Sequence, residues 1–586
     1  MGFSVIITLC VVAALVAALY SGKIRTAYAF LLAIGVLVLF KILSPAEALS
    51  GFANEQLAII IILLIISDII RKSKVLSYLF NKAIGDTSGE IKFLTKLMLF
   101  VAPLSAFFNN TPLVAIFMPF VRNWAVEHKK YPSQYLIPLS YATILGGAVT
   151  LVGTSTHLIV NGLVTENNLP SLSIFDFTPV GLAMLVLGLI YILIFYKTLP
   201  KNPDVLEDFN KQNRNFFIEA NIKENAFIIG KSIEEASLRN LKSLFLVEII
   251  RKDKIISPVS PNEILEQEDV LIFTGNTQSF DDLLDANLGL TLPKAARDII
   301  TENANIVEVV VSYNSWMIGK KIKETDFRGK YDGAIIAVHR NGEKLSGKIG
   351  DIIIQPGDVL LVLAGKDFYK RTENNQAFYI LSVQQNTPTT SVGKVLLVFG
   401  LVLTSIILSA VNLLPLFTGL LITLIVAISL QLVPFNEIRK GLDFNLIFII
   451  ALGLALGRAM ENSGTAEFIS QVIHTYFSNL PVISLLMILF LCTNLLASYI
   501  TNSAAVAIMF PIALALSKTL GINYLPFVLI ISFGAAANFI TPIGYQTNLM
   551  VYGPGRYKFN DYLKFGLPLT IIYMLAASFI LYAMYF

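Results

Sequence analysis

The chain has 586 residues, of which 55% are hydrophobic and only 14% charged, with 40 phenylalanines and a net charge of +4. Soluble domains carry about 25% charged residues, so the composition excludes a soluble globular protein. There is no basic patch with interleaved aromatics, which argues against nucleic acid as a partner, and Cys10 and Cys492 offer neither a disulfide framework nor metal-ligand spacing.

The charge is unevenly placed. Residues 201–390 hold 23 Lys+Arg and 27 Asp+Glu, so 50 of the 84 charged residues lie in under a third of the chain. This divides the sequence into a membrane repeat (1–200), a water-soluble insert in two parts (201–300, which includes a linker, and 301–390) and a second membrane repeat (391–586).

The opening run "FSVIITLCVVAALVAALY" lacks a basic flank and a small-residue cleavage site, so it reads as a retained span. Runs of about twenty apolar residues predict spans near 3–20, 25–43 and 56–70, then 136–160 and 180–199. Between the third and fourth lies a shorter apolar pair, 97–120, which Pro103, the run Asn109-Asn110-Thr111-Pro112 and Pro119 are expected to break. Loops 71–96 and 121–134 are both basic, which puts both on the cytoplasmic side and makes the pair between them a re-entrant hairpin.

The insert carries its own repeat. "FIIGKSIEEASLRN…DVLIFTG" parallels "WMIGKKIKETDFRG…DVLLVLAG", with Gly230-Lys231 over Gly319-Lys320 and Asp269-Val270 over Asp358-Val359. Each unit reads as a strand, a short helix, a hairpin and a last strand, and Pro356-Gly357 makes the turn before the last strand of the second unit. The second membrane half predicts spans near 394–411, 414–433, 443–460, 525–552 and 565–585, with an interrupted pair at 481–512.

The two membrane halves are related. "NNTPLVAIFMP" (109–119) aligns with "TNSAAVAIMFP" (501–511) at an offset of 392, and "GTSTHLIVNG" (153–162) with "GYQTNLMVYG" (544–553) at 391. Gly51/Gly441 and Ser73/Ser463 match at 390. The loop 163–178 has no Lys or Arg, whereas its counterpart 554–564 has Arg556, Lys558 and Lys564. Equivalent loops on opposite faces mean inverted repeats, the architecture of secondary transporters. The expected fold is therefore an α-helical polytopic membrane protein with two inverted repeats, each of about five spans and one re-entrant hairpin, plus a cytoplasmic α+β insert.

Irregular backbone at membrane depth is tolerated only where protein or a wet cavity satisfies it. The tips Asn109-Asn110-Thr111 and Thr501-Asn502-Ser503 are such places, with Pro112 in the first turn of the returning helix, where its missing N–H costs nothing. A second polar element breaks the fourth span of each half: Gly153 with Thr150, Thr154, Ser155 and Thr156, and Gly544 with Thr541, Pro542, Gln546, Thr547 and Asn548. Hydroxyl, amide and carbonyl oxygens suit sodium, and half-helix N-termini suit an anion. Asp68 and Arg458 read as helix-end charges, and His157 as a packed, hydrogen-bonded residue. Intramembrane carboxylates are scarce, which favours sodium over proton coupling.

The paired tips, with "GTSTHLIVNG" and "TPIGYQTNLMVYGPG", resemble the divalent anion:sodium symporter family of the ion-transporter superfamily, across both membrane halves. That family carries Ser-Asn-Thr at each tip; here Asn109 and Thr501 replace the first Ser, and Ser503 the last Thr. The resemblance implies that Asn110, Thr111, Asn502 and Ser503 contact the substrate, joined by Thr154, Ser155, Thr156, Thr541, Pro542, Gln546 and Thr547. Co-transported sodium would sit against Asn109, Asn110, Gly153, Thr501, Asn502, Gly544 and Asn548, with no organic cofactor. The implied cargo is a small divalent anion, sulfate before dicarboxylate, carried across a cell membrane by a lipid-embedded homodimer. An arsenite or sodium/proton carrier of the same superfamily is the alternative. The insert resembles the C-terminal subdomain of RCK-type regulators, twice over, without their nucleotide-binding half, and could take a small-molecule ligand. A potassium channel lacks its T-V-G-Y-G filter, and no cluster of nucleophile, base and orienting residue supports an enzyme.

Overall fold

The computed structural model describes residues 2–202, 217–275, 289–291, 305–381, 392–432 and 444–586, apart from single positions and short gaps within these ranges. Ser73 and Gly441, two of the repeat matches, lie outside the described residues. The first half is built from α1 (Phe3–Ser21), α2 (Thr26–Leu39), α3 (Pro45–Ser50), α4 (Glu55–Lys72), α5 (Val75–Ile84), α6 (Glu90–Ser105), α7 (Asn110–Glu127), α8 (Ser133–Gly147), α9 (Ser155–Glu166) and α10 (Thr178–Phe195). The second half has α11 (Val392–Ala410), α12 (Leu416–Ser429), α13 (Phe444–Asn462), α14 (Thr465–Phe477), α15 (Val482–Tyr499), α16 (Asn502–Leu520), α17 (Leu525–Ala536), α18 (Gln546–Tyr552) and α19 (Phe559–Tyr585). Among the described residues seven helices are long and apolar enough to cross a membrane, and the region of α3 with α4 forms a further candidate bent by 42°.

Burial sorts these helices into shells. Every residue of α8 is buried, and every residue of α17 after Leu525; a helix that is apolar all round belongs inside a bundle. By contrast α10, α11 and α19 expose Leu182, Ile190, Ile407, Leu575 and Phe579, as helices facing lipid do.

Three expectations need correcting. Pro103 lies inside α6 and Pro119 inside α7; only the asparagine run interrupts the pair. Proline is tolerated within a membrane helix because neighbouring groups satisfy the carbonyl it frees. The arms are accordingly longer than expected, with α7 running on to Glu127 and α16 to Leu520. Second, the stretch read as a basic loop after α4 contains α5, and α14 begins 390 residues later, at Thr465. Both mix apolar and polar residues on opposite faces, which a search for uniformly apolar runs passes over. Third, each insert unit has a fifth strand after the one predicted to be its last.

The insert forms two antiparallel sheets. The first comprises β1 (Phe217–Ile222), β2 (Leu244–Arg251), β3 (Lys254–Ile256), β4 (Val270–Gly275) and β5 (Leu290–Thr291), in the order β3-β2-β4-β1-β5. The second comprises β6 (Asn305–Val311), β7 (Gly333–Arg340), β8 (Glu343–Lys344), β9 (Val359–Ala364) and β10 (Phe378–Ile380), in the order β10-β6-β9-β7-β8. Strand for strand these are the same sheet, down to a register shift at Leu246/Glu248 in one and Ile335/Ala337 in the other.

The same interaction locks both. Asp269 accepts from Arg251 Nε and Nη2, each at 2.8 Å, and from the Glu266 amide at 2.8 Å. Asp358 accepts from Arg340 Nε at 2.7 Å, from Nη2 at 2.8 Å, and from the Gln355 amide at 2.8 Å. Both carboxylates are fully buried, so each survives only because a forked guanidinium and a backbone N–H replace its water.

The second sheet also packs on the membrane part. Val310, Val359 and Leu381 belong to the same apolar cluster as α6, α8 and α17, and Glu308 of β6 meets Arg122 of α7 at 2.8 Å. A side chain at Gly553, just after α18, would run into the Gly357 carbonyl.

Asp358→Asn keeps the shape but removes the charge facing Arg340. It should destabilise the protein by about 3 kcal/mol, the lower end for a broken buried pair, in thermal or denaturant unfolding. Lys323→Ala, which removes the exposed pair with Asp351, should leave the transition within about 0.5 kcal/mol.

Candidate functional site

The two tips are built alike. Residues 106–109 separate α6 from α7, and the Asn109 side chain caps α7 by accepting from the Thr111 amide at 3.3 Å. In the second half, Ile500 and Thr501 separate α15 from α16, and the Thr501 hydroxyl accepts from the Ala504 amide at 3.2 Å. Ser, Thr and Asn are favoured at this position because their oxygens satisfy an orphan N–H at the helix start.

The fourth spans break in the same way. The Thr150 hydroxyl accepts from Gly153 N–H at 3.2 Å and donates to the Ala106 carbonyl. Its counterpart Thr541 accepts from Gly544 N–H at 3.2 Å and donates to the Ser498 carbonyl at 2.8 Å. One further pair completes the match: the His157 Nδ1 to the Thr150 carbonyl at 3.0 Å, and the Asn548 amide to the Thr541 carbonyl at 3.2 Å. His157 is fully buried, stacked on Phe177 with ring centroids 3.8 Å apart. It is a packed residue, as read from the sequence.

The glycines are there for space. A Cβ on Gly153 would lie 2.5 Å from the Gly147 carbonyl and 2.9 Å from the Ala106 carbonyl, and one on Gly544 would lie 2.7 Å from the Ala497 carbonyl. Each break therefore presses directly on the helix that ends at its own tip.

The halves meet around one cavity of about 240 Å³. Four helix starts line it: Asn109 and Thr111 of α7, Thr154 and Ser155 of α9, Thr501, Asn502 and Ser503 of α16, and Tyr545 and Gln546 of α18. Gly544 lines it too. The tips are also bonded across the halves. Asn110 donates to Tyr545 Oη at 2.6 Å and accepts from Ser105 Oγ at 2.5 Å, while Thr111 donates to Gln546 Oε1 at 3.0 Å. A smaller cavity of about 30 Å³ adjoins the first tip, with Ser67, Asn109, Gly153 and Ser155 on its wall among a majority of apolar residues such as Leu63 and Phe107.

Several predicted site residues are not at the cavity wall. Asn110 lies just beneath it, 2% exposed. Thr156 is fully buried and bonded to Thr154 at 3.0 Å, and Thr541 is occupied by the bridge already described. Pro542 is buried. Thr547 and Asn548 are fully buried and face α8, where Ser140 donates to the Asn548 oxygen at 2.7 Å and lies 2.9 Å from the Thr547 hydroxyl. For Thr156, Thr547 and Asn548 the reason is shared: in α9 and α18 only the first residue lines the cavity, and the rest of the first turn packs against its neighbours.

The sequence reading missed other residues. Tyr545 falls within the quoted break and Asn538 three residues before it, yet only the fold shows Asn538 reaching Asn502 at 3.4 Å. Asp68 and Asn445 line the cavity from α4 and α13. Asp68, within the last two turns of α4, is thus a cavity residue and more than a helix-end charge. Arg458 does behave as a helix-end charge, partly exposed, 3.5 Å from Glu461 and 3.9 Å from Glu47. Among the described lining residues there is no Lys or Arg.

Known proteins align with nearly all of this. The chain matches the citrate transporter family, CitMHS, over residues 11–423 and 406–586. It is 31% identical to a Chlamydomonas reinhardtii protein named for the sulfur deprivation response, over 92% of this chain and 94% of that one. It is 30% identical to an uncharacterized transporter of Synechocystis sp., over 94% and 92%. Sodium/sulfate cotransporter 2 of Chlamydomonas reinhardtii is 23% identical, over 92% of this chain and 85% of that protein.

If the glycines serve close approach, Gly153→Ala should lower stability in detergent by about 1–3 kcal/mol, the cost of overpacking. Gly400→Ala in α11, where a Cβ meets nothing within 4 Å, should be neutral or slightly stabilising. Equal unfolding temperatures for the two variants would contradict the packing reading.

Proposed function

This protein belongs to the citrate transporter family, and from that premise we propose that it is a sodium-coupled symporter of a small divalent anion, sulfate ahead of dicarboxylate, working by alternating access. The family is one of transporters within the ion-transporter superfamily, so the chain is a multi-pass membrane transporter and not an enzyme. The tips had suggested a sister family, the divalent anion:sodium symporters.

One observation carries the reading: four helix starts line a single cavity with no cationic side chain among its described walls. Each start bears partial positive charge and unpaired N–H character, which together favour an anion. At about 240 Å³ the cavity falls below the roughly 300–1,000 Å³ of drug-sized pockets. That suits a compact dianion held by Thr111, Ser155, Asn502, Ser503 and Gln546, with Asn110 setting the tip from beneath.

Sodium coupling draws support from the oxygens at each break and from the names of sodium/sulfate cotransporter relatives. The small cavity by Asn109, Gly153 and Ser155 is about ion-sized, and we place one sodium there. A second is placed by symmetry near Thr501 and Gly544.

We read the halves as inverted. In support, Ser133 at the start of α8 donates to the Pro200 carbonyl, beyond the end of α10. Tyr524, just before the equivalent helix α17, instead lies near Asp176, before the start of α10; burial chiefly, and that carboxylate, push its hydroxyl up. We also read the two insert sheets as RCK C-terminal-type domains on the cytoplasmic side, a reading supported by their shared strand order.

A second reading, proton coupling or exchange, is favoured by Asp68 at the cavity wall. Uptake of labelled sulfate into proteoliposomes separates the two. Uptake should need sodium and persist when a protonophore collapses the pH gradient; uptake driven by a pH gradient in potassium buffer alone would favour the second reading. Excess thiosulfate should compete better than excess succinate, and the reverse order would make dicarboxylate the cargo. Asn110→Ala and Asn502→Ala should each reduce uptake at least a hundredfold while the protein still inserts. Wild-type rates in both would put the site elsewhere.

A further inference from the structure

The cavity is not walled by the membrane helices alone. Ser312, just after β6, Asn375, in the connection before β10, and Tyr379 of β10 line it together with Asn109, Thr111 and Tyr545. These three are held firmly to the second insert sheet. The Ser312 amide donates to the Ala377 carbonyl at 2.9 Å, Asn375 accepts from Tyr331 Oη at 3.0 Å, and Tyr379 pairs with Val310 in the antiparallel β10–β6 ladder. The wall therefore moves with the sheet or not at all.

The sheet's seat combines two kinds of contact. Val310, Val359 and Leu381 bury apolar surface against the membrane helices. Beside them Arg122 and Glu308 pair at 2.8 Å with side chains 5% and 1% exposed. A buried ion pair adds little to stability compared with apolar packing, because both charges must give up water. When two bodies separate, however, each charge regains its water, so such a pair suits an interface that opens. The turn at Gly357 meanwhile presses on Gly553, immediately after α18, whose first residue lines the cavity. Seat and site are thus one residue chain apart.

We propose that the second insert sheet is a gate: seated as here, it closes the insert-side mouth of the cavity, and release of Glu308 from Arg122 opens it. The proposal rests on the reading of this cavity as the transport site, and it gives the insert a direct part in substrate passage through Ser312, Asn375 and Tyr379. It also accounts for a buried charge on the membrane face of β6, where an apolar residue would seat the sheet more firmly.

The test uses the full-length chain with Cys10→Ser and Cys492→Ser and one reporter, Ala115→Cys, a cavity-wall position given no part in holding the anion or sodium. A membrane-impermeant anionic thiol reagent is applied to sealed vesicles, and labelling of Lys323→Cys, an exposed insert position, fixes which side the insert faces. With the pair intact the reporter should react slowly from that side. In Glu308→Gln, and independently in Arg122→Gln, its rate should rise at least tenfold, while Lys323→Cys labelling stays the same as evidence of a folded insert. The exchanged pair Arg122→Glu with Glu308→Arg should restore slow labelling. Unchanged rates in both single variants would overturn the gate. Sulfate with sodium should protect the reporter in the open variants; a tenfold rise without protection would uphold the gate while refuting the site reading.

Discussion

A helix that stops inside a membrane leaves up to four N–H and four C=O groups without partners, and lipid offers none. Within its apolar core this chain stops helices at both tips and both glycine breaks, and much of its structure follows from how those ends are satisfied. The Thr150 and Thr541 hydroxyls each take one N–H from the break and give their proton to a carbonyl at the neighbouring tip. One side chain thereby ties two broken ends together, once in each half. Gly153 and Gly544 let those ends approach. The helix starts left facing inward are polar walls of the cavity, so the solution to a folding problem also shapes the surface proposed to bind the anion.

Symmetry is not complete, and the differences bear on the two tips. Gly147 leaves room for the Asn110 side chain, a Cβ there lying 2.7 Å from its oxygen. At the equivalent place in the second half stands Asn538, which reaches Asn502 at 3.4 Å. The first tip is held by Ser105 within its own half and, unlike the second, also by Tyr545 and Gln546 of the other half. Movement of one half against the other must therefore alter the Asn110 and Thr111 contacts directly, whereas Asn502 is held within its own half. Alternating exposure of the cavity would thus act unequally on the two tips.

Much of this was legible in the sequence, because a broken membrane helix needs residue types that otherwise avoid membranes. The constant offset of 390–392 residues, both tips, both glycine breaks and the duplicated insert were all visible as letters. Other features were not, for physical reasons. Pro103 and Pro119 carry the same letter whether a helix ends or absorbs them. Whether Thr547 faces a cavity or Ser140 depends on helix rotation after a break, which no local pattern fixes. Asp68, Asn445 and Tyr379 come to the site from α4, α13 and β10, so their roles in its walls depend on tertiary packing alone.

The central claim is that the two breaks together form one sodium-dependent anion site. Equilibrium binding of radiolabelled sulfate to the purified protein in detergent tests it without depending on transport or orientation. The account predicts saturable binding of a single sulfate per chain in sodium, lost when choline replaces sodium and lost in Asn110→Ala and Asn502→Ala alike. Binding that is the same in choline, or that survives in either variant, would contradict it.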